Sequence, residues 1–273
     1  MIIQTAPEGQ PRFAIKMDEH STLSGQFAEA FGGPTIAPIE PFDLFVYVVS
    51  NHDRGWMSYD SSPKTDPRTG FPYNLVETPA QDITQTSAGS PDFNQRHHPY
   101  CGLLSSMHSW GLYNGRYGTS DYVLIDTIPP QERHLADRML ERELDRQKRL
   151  KTTLASDPKA AKWIEPRQLT CNYKRLQFFD MLALYFNRIH ESARAEMKFG
   201  FVPFNLNEDV TVTIRPLGTG VYGLSPYPFV KDGAEFSFSG RYVEPAAPGA
   251  DVSWGPILAS KPTQWQQLKL VAT

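Results

Sequence analysis

Residues 42–55 read FDLFVYVVSNHDRG: an apolar stretch follows Pro41, ends in the adjacent pair His52 and Asp53, and stops at Gly55. The stretch is hydrophobic on nearly every side, which predicts a helix buried against several neighbours rather than a surface helix with one apolar stripe. A polar pair at the end of such a helix is carried into the interior. There an imidazole and a carboxylate cost several kcal/mol unless they are paired or bind an ion.

Working outward, Met17, His20, Leu23, Phe27 and Phe31 recur at helical spacing before Gly32-Gly33-Pro34 stops the run, so His20 faces the core. After Pro99, Cys101, Leu104 and His108 share one helical face, which turns His108 inward. From about Glu165 to His190, Leu169, Tyr173, Leu176, Asp180 and Ala183 fall on one stripe, so a carboxylate interrupts a core-facing line. His20, His52, Asp53, His108 and Asp180 thus point to a common interior. A divalent transition metal, one or two ions of Fe, Mn, Zn, Ni or Co, is the simplest compensating partner for nitrogen and oxygen donors without a thiolate.

The rest of the chain is expected to be scaffold. MIIQT and RFAIKM, separated by PEGQP, read as an N-terminal hairpin. WMSYDSSPKTDPRTGFPYNLVETP reads as an ordered functional loop, and QDITQTSAGSPDFNQ as a mobile one. Residues 131–155 alternate charge with Leu and Met, as a one-sided solvated helix would. Beyond Gly200, segments such as DVTVTIRP and AEFSFSGRYV read as a small antiparallel sheet. Two units follow: a metal-binding helical domain over 1–200 and a β-rich extension over 201–273 packed on it.

With 27 Lys plus Arg against 30 Asp plus Glu, the net charge of -3 gives no global field for nucleic acid or an anionic membrane. No run approaches the roughly 20 apolar residues of a membrane span. The opening MIIQTAPEGQ lacks the pattern of a secretory signal, so a cytoplasmic address is expected. Cys101 and Cys171, in no finger spacing, read as small buried hydrophobes, which excludes a zinc finger.

The order His, then His-Asp, then a distant Asp resembles the HD superfamily of metal-dependent phosphohydrolases. The segments DEHSTLSGQFA, HDRGWMSYDSSPKTDPRTGFPYN, HPYCGLLSSMHSWGLY and FFDMLALYF look like the successive blocks of a microbial HD-like family catalogued only as a domain of unknown function. The resemblance runs from about residue 1 to 190. It implies a mainly α, HD-type helical bundle, with the hairpin and small sheet as additions, and His20, His52, Asp53 and Asp180 as the metal set.

The expected activity is hydrolysis of a phosphorylated small molecule by a metal-activated water, with Asp53 touching the nucleophile and His108 as acid, base or further ligand. Arg116, Trp56, Tyr59 and Tyr113 are the expected substrate contacts. Arg54, Lys64 and Arg68 are further candidates for gripping phosphate, and Glu77 for proton transfer. Two other readings stand beside this one. A di-iron oxygenase of HD type would recruit His98 with His108, and a non-catalytic scaffold would bind a ligand or partner. The oligomeric state is left open.

Overall fold

The computed structural model describes residues 1–250 and 252–273. About 51% of the chain is helical and 19% is strand. The strands are β1 (Ile2–Ile3), β2 (Arg12–Ile15), β3 (Met197–Pro203), β4 (Asp209–Gly218), β5 (Val221–Ser225), β6 (Ala234–Val243) and β7 (Gln264–Ala272). They form one seven-stranded sheet in the order β1-β2-β6-β7-β5-β4-β3. It is mixed, because β7 runs antiparallel to β6 and parallel to β5.

This overturns the expectation of a mainly α bundle with a separate hairpin and a small antiparallel sheet. The hairpin forms, but β2 has a second hydrogen-bonding edge, and β6 takes it with Arg12 opposite Val243. Alternation in the sequence reveals a strand and says nothing of a partner that lies far along the chain. The parallel β5–β7 pair needs a long crossover, here the chain through β6.

The helices are α1 (Met17–Ala30), α2 (Phe42–Ser50), α3 (Met57–Ser61), α4 (Ala80–His97), α5 (Pro99–Tyr113), α6 (Gly115–Gly118), α7 (Arg133–Ala155), α8 (Pro158–Trp163), α9 (Pro166–Arg188) and α10 (Trp254–Ser260). The core lies between the sheet and the central helices α1 and α9. Phe27 of α1 packs on Phe186 of α9 and on Phe236 of β6. Gln26 braces α1 to the sheet: its side-chain amide donates to Ser237 O at 2.8 Å and accepts from Ser237 N at 3.1 Å. The start of α1 is fixed by Asp60, whose carboxylate accepts the Met17 N–H at 2.6 Å.

Two local expectations change. Helix α2 ends at Ser50 rather than running on to Gly55, because side chains take over its last carbonyls: Asn51 donates to Tyr47 O at 2.8 Å and His52 Nδ1 to Val49 O at 2.7 Å. His52 and Asp53 therefore sit just beyond the helix, at the start of a tight turn.

The stretch 81–95, expected to be mobile, is inside helix α4. Its apolar content is low, but its small residues let it lie close against its neighbours. Pro91, which has no N–H for the Ser87 carbonyl one turn back, is tolerated because the Ser109 hydroxyl of α5 donates to that carbonyl at 2.9 Å. Among the described residues, no helix is long and apolar enough to cross a membrane.

Candidate metal centre

His20 comes from α1, His52 and Asp53 from the turn after α2, His108 from α5 and Asp180 from α9. All five side chains converge, and two overlapping groups, His20/His52/Asp180 and His52/Asp53/His108, each place ligand atoms within 4.8 Å of one another. His20 Nε2 lies 3.1 Å from Asp180 Oδ1 and 3.9 Å from Asp53 Oδ2. His52 Nε2 lies 3.4 Å from Asp53 Oδ2 and 3.8 Å from Asp180 Oδ1. Donors sharing one ion at about 2.1 Å would be about 3.0–3.4 Å apart in octahedral or tetrahedral arrangements. These four spacings lie at or a few tenths of an ångström above that range, while the ligand atoms of all five residues do not come within 4.8 Å of one another.

The orientation of the rings is as telling as the distances. His52 Nδ1 donates to Val49 O, and His20 Nδ1 meets Asn187 Oδ1 at 2.9 Å. His108 Nδ1 lies 2.8 Å from Gln177 Nε2, and with that amide turned over its Oε1, unpaired among the described residues, would accept from Nδ1. Each imidazole is thus held from behind through Nδ1, leaving Nε2 for the centre, which is how metal-bound histidines are normally oriented. The Nε2 of His52 is buried and, among the described residues, makes no hydrogen bond. An orphaned nitrogen aimed at two carboxylates fits a bound cation.

The electrostatics agree. Burial favours neutral His52, but Asp53 and Asp180 outweigh it and push its pKa up to about 10. His108 goes the other way, to about 4, through burial and the charge of His52. Burial works against ionised Asp53 and Asp180. Even so, His52 holds Asp53 low, and His20 with His52 holds Asp180 well below the usual carboxylate range. Without a metal, the positive charge that keeps this carboxylate pair ionised comes from His52 and, at Asp180, also from Arg116.

A family model described as "Protein of unknown function (DUF3891)" matches residues 1–245. The chain belongs to that family. The DUF3891 match takes in all five convergent side chains and the strands β1–β6. No curated protein and no solved structure matches the chain.

The other residues singled out from this DUF3891 sequence are placed as follows. Arg116 reaches the centre, with Nη2 3.2 Å from Asp180 Oδ2. Trp56 is buried in the core and packs edge-on to Tyr59 at 5.7 Å. Tyr113 is fully buried, with its hydroxyl 3.2 Å from that of Ser87. Arg54, Lys64 and Arg68 face Asp18, Asp82 and Asp66. Glu77 lines a cavity of about 270 Å³ that none of the five side chains borders. His97 stacks on Tyr47, and His98 accepts the Tyr100 N–H at the start of α5.

Sequence reading missed Asn187 and Gln177, the supports behind His20 and His108. A signal existed: Gln177, Asp180 and Asn187 are spaced by three and seven, so one face of α9 presents them all.

Proposed function

We propose that the chain is a metal-dependent hydrolase of phosphorylated small molecules, with a single ion held by His20, His52, His108, Asp53 and Asp180. The observation that carries this reading is the set of imidazoles fixed through Nδ1 with Nε2 turned toward a charged carboxylate pair. The donor order along the chain also resembles that of the HD phosphohydrolases, and the proposed chemistry is theirs. The architecture around it is the mixed helix-and-sheet body described above.

His52 belongs to both ligand groups, and one imidazole nitrogen binds one metal, so a single ion is the reading in which both groups close around it. Three nitrogen and two oxygen donors suit Fe, Mn, Zn, Ni or Co. The di-iron oxygenase loses support on the same ground, and because His98, its expected extra ligand, is engaged at the start of α5.

When bound, the ion supplies Lewis acidity and brings the pKa of a coordinated water toward neutrality. The protein contributes position and proton transfer. Asp53, whose side chain is 12% exposed, is the most open carboxylate of the set and is placed to accept the proton of the attacking water. Attack at phosphorus would break the ester P–O bond, releasing an alcohol and inorganic phosphate. His20 and His52 are fully buried, so only a compact group can reach the centre.

The test is elemental analysis of the purified protein with a panel of phosphomonoesters and nucleotides. About one transition-metal equivalent is expected, lost in His52→Ala, together with metal-dependent phosphate release. A folded wild type that takes up no metal would sink the proposal. Oxygen uptake instead of phosphate release would replace it with the oxygenase. Bound metal with neither activity would leave the non-catalytic scaffold.

A further inference from the structure

The centre carries a cation that a structural metal site does not need. The two carboxylates already cancel the charge of a divalent ion, yet Arg116 lies against Asp180 Oδ2 with its side chain only 11% exposed. With metal bound and the imidazoles neutral, the guanidinium charge is left over in a poorly solvated place. Buried charge of one sign draws in the opposite sign.

The backbone under Arg116 is unusual too. Gly115, Arg116, Tyr117 and Gly118 have φ values of 61°, 50°, 55° and 84°, a full turn in the left-handed region that non-glycine residues rarely enter. The turn is held by Tyr117, whose ring packs between Trp110 at 4.8 Å and Tyr173 at 4.9 Å. Strain kept by packing, with the strained residue delivered to a site, is a pattern of binding and catalytic positions. The hydroxyl of Tyr173, buried in the same cluster, has no hydrogen-bond partner among the described residues.

Access points the same way. Among the side chains at the centre, His20 and His52 are 0% exposed and Asp180 5%, while Asp53 and Arg116 reach 12% and 11%. The centre is thus least covered at Asp53 and Arg116.

We propose that Arg116 is the specificity-determining residue of the centre, exchanging Asp180 Oδ2 for an oxygen of the substrate's phosphoryl group and holding that group against the ion. This rests on the metal-centre reading above. It adds that substrates are selected for an anionic head group, and that Arg116 acts on binding rather than on the ion. A planar guanidinium suits two oxygens of one phosphoryl group, which lysine can serve only as a point charge.

The experiment is calorimetric titration of inorganic phosphate into metal-loaded wild type, Arg116→Lys and Arg116→Gln, with metal content and melting temperature recorded for each. Wild type should bind phosphate, and Arg116→Gln should bind it at least about tenfold more weakly with metal content unchanged. Arg116→Lys should fall between them. Phosphate binding equal to wild type in Arg116→Gln, or none to metal-loaded wild type, overturns the role of Arg116 and leaves the metal centre intact. Loss of metal in Arg116→Gln also overturns it, making Arg116 a clamp on Asp180. Absence of metal from the wild type instead defeats the metal-centre reading itself, and this inference with it.

Discussion

The amide of Gly55 donates to Ser90 Oγ at 3.0 Å, and a Cβ added to Gly55 would come within 2.5 Å of the Ser90 amide nitrogen and 2.1 Å of the Thr86 carbonyl oxygen. The turn that follows His52 and Asp53 is thus pressed backbone to backbone on α4. Gly55→Ala must push the turn away from the helix. Overpacking of this kind costs about 1–3 kcal/mol. The variant should melt several degrees lower and bind metal less tightly. A variant matching wild type in both would show that the turn is not seated on α4.

The carbonyl of Asn187 behind His20 should matter to the ion without touching it. In Asn187→Leu, His20 Nδ1 loses its anchor and its tautomer is no longer fixed. Metal affinity should fall about 10–100-fold, the usual effect of removing such a support. Competition with a coloured chelator measures this, and unchanged affinity would remove Asn187 from the centre.

Stability of the metal-free protein should peak near neutrality. His52 binds its proton more tightly when folded, with a pKa near 10 against an ordinary 6.5. That stabilisation is complete below about pH 6.5 and drains away as pH rises through 10. His108, held near 4, refuses a proton that the unfolded chain accepts, so stability falls as pH drops from 6.5 toward 4. The lowered Asp53 and Asp180 add to that acid limb below the ordinary carboxylate value of 3.8. Thermal melts of chelator-treated protein from pH 4 to 10 check it, and a melting temperature still climbing at pH 9 would contradict the assignment of His52.

Tyr113 should prove a packing residue. Its hydroxyl is buried against Ser87, so Tyr113→Phe removes one internal hydrogen bond and should cost about 1 kcal/mol with KM unchanged. A raised KM at constant stability would return Tyr113 to the substrate pocket.

Three of the five convergent side chains were legible from local periodicity: His20, His108 and Asp180 lie on helix faces whose apolar neighbours declare the core, while His52 and Asp53 were legible as the polar end of an all-apolar helix. Arg116 was legible only by its nearness to His108 in sequence, since nothing in GRYG announces a left-handed turn. Helix α4 was obscured because it packs by smallness. Its Gly89, Thr86 and Ser90 read as loop composition, and the fact that makes them helical is the backbone of Gly55 on the other side. The sheet was the largest loss. Every long strand has a sequence signature, but pairing Arg12 with Val243 follows from which edges remain open once the helices have packed, and no window of sequence contains that.

Strand β7 is made after the other six, yet it occupies the middle place in the sheet. On the ribosome, β1, β2 and β6 can gather as one half-sheet and β3, β4 and β5 as another, each with an open edge where β7 belongs. The nascent chain must shield two sticky borders until β7 emerges. Ser237 of β6, the strand that β7 borders, also grips the helix that carries His20.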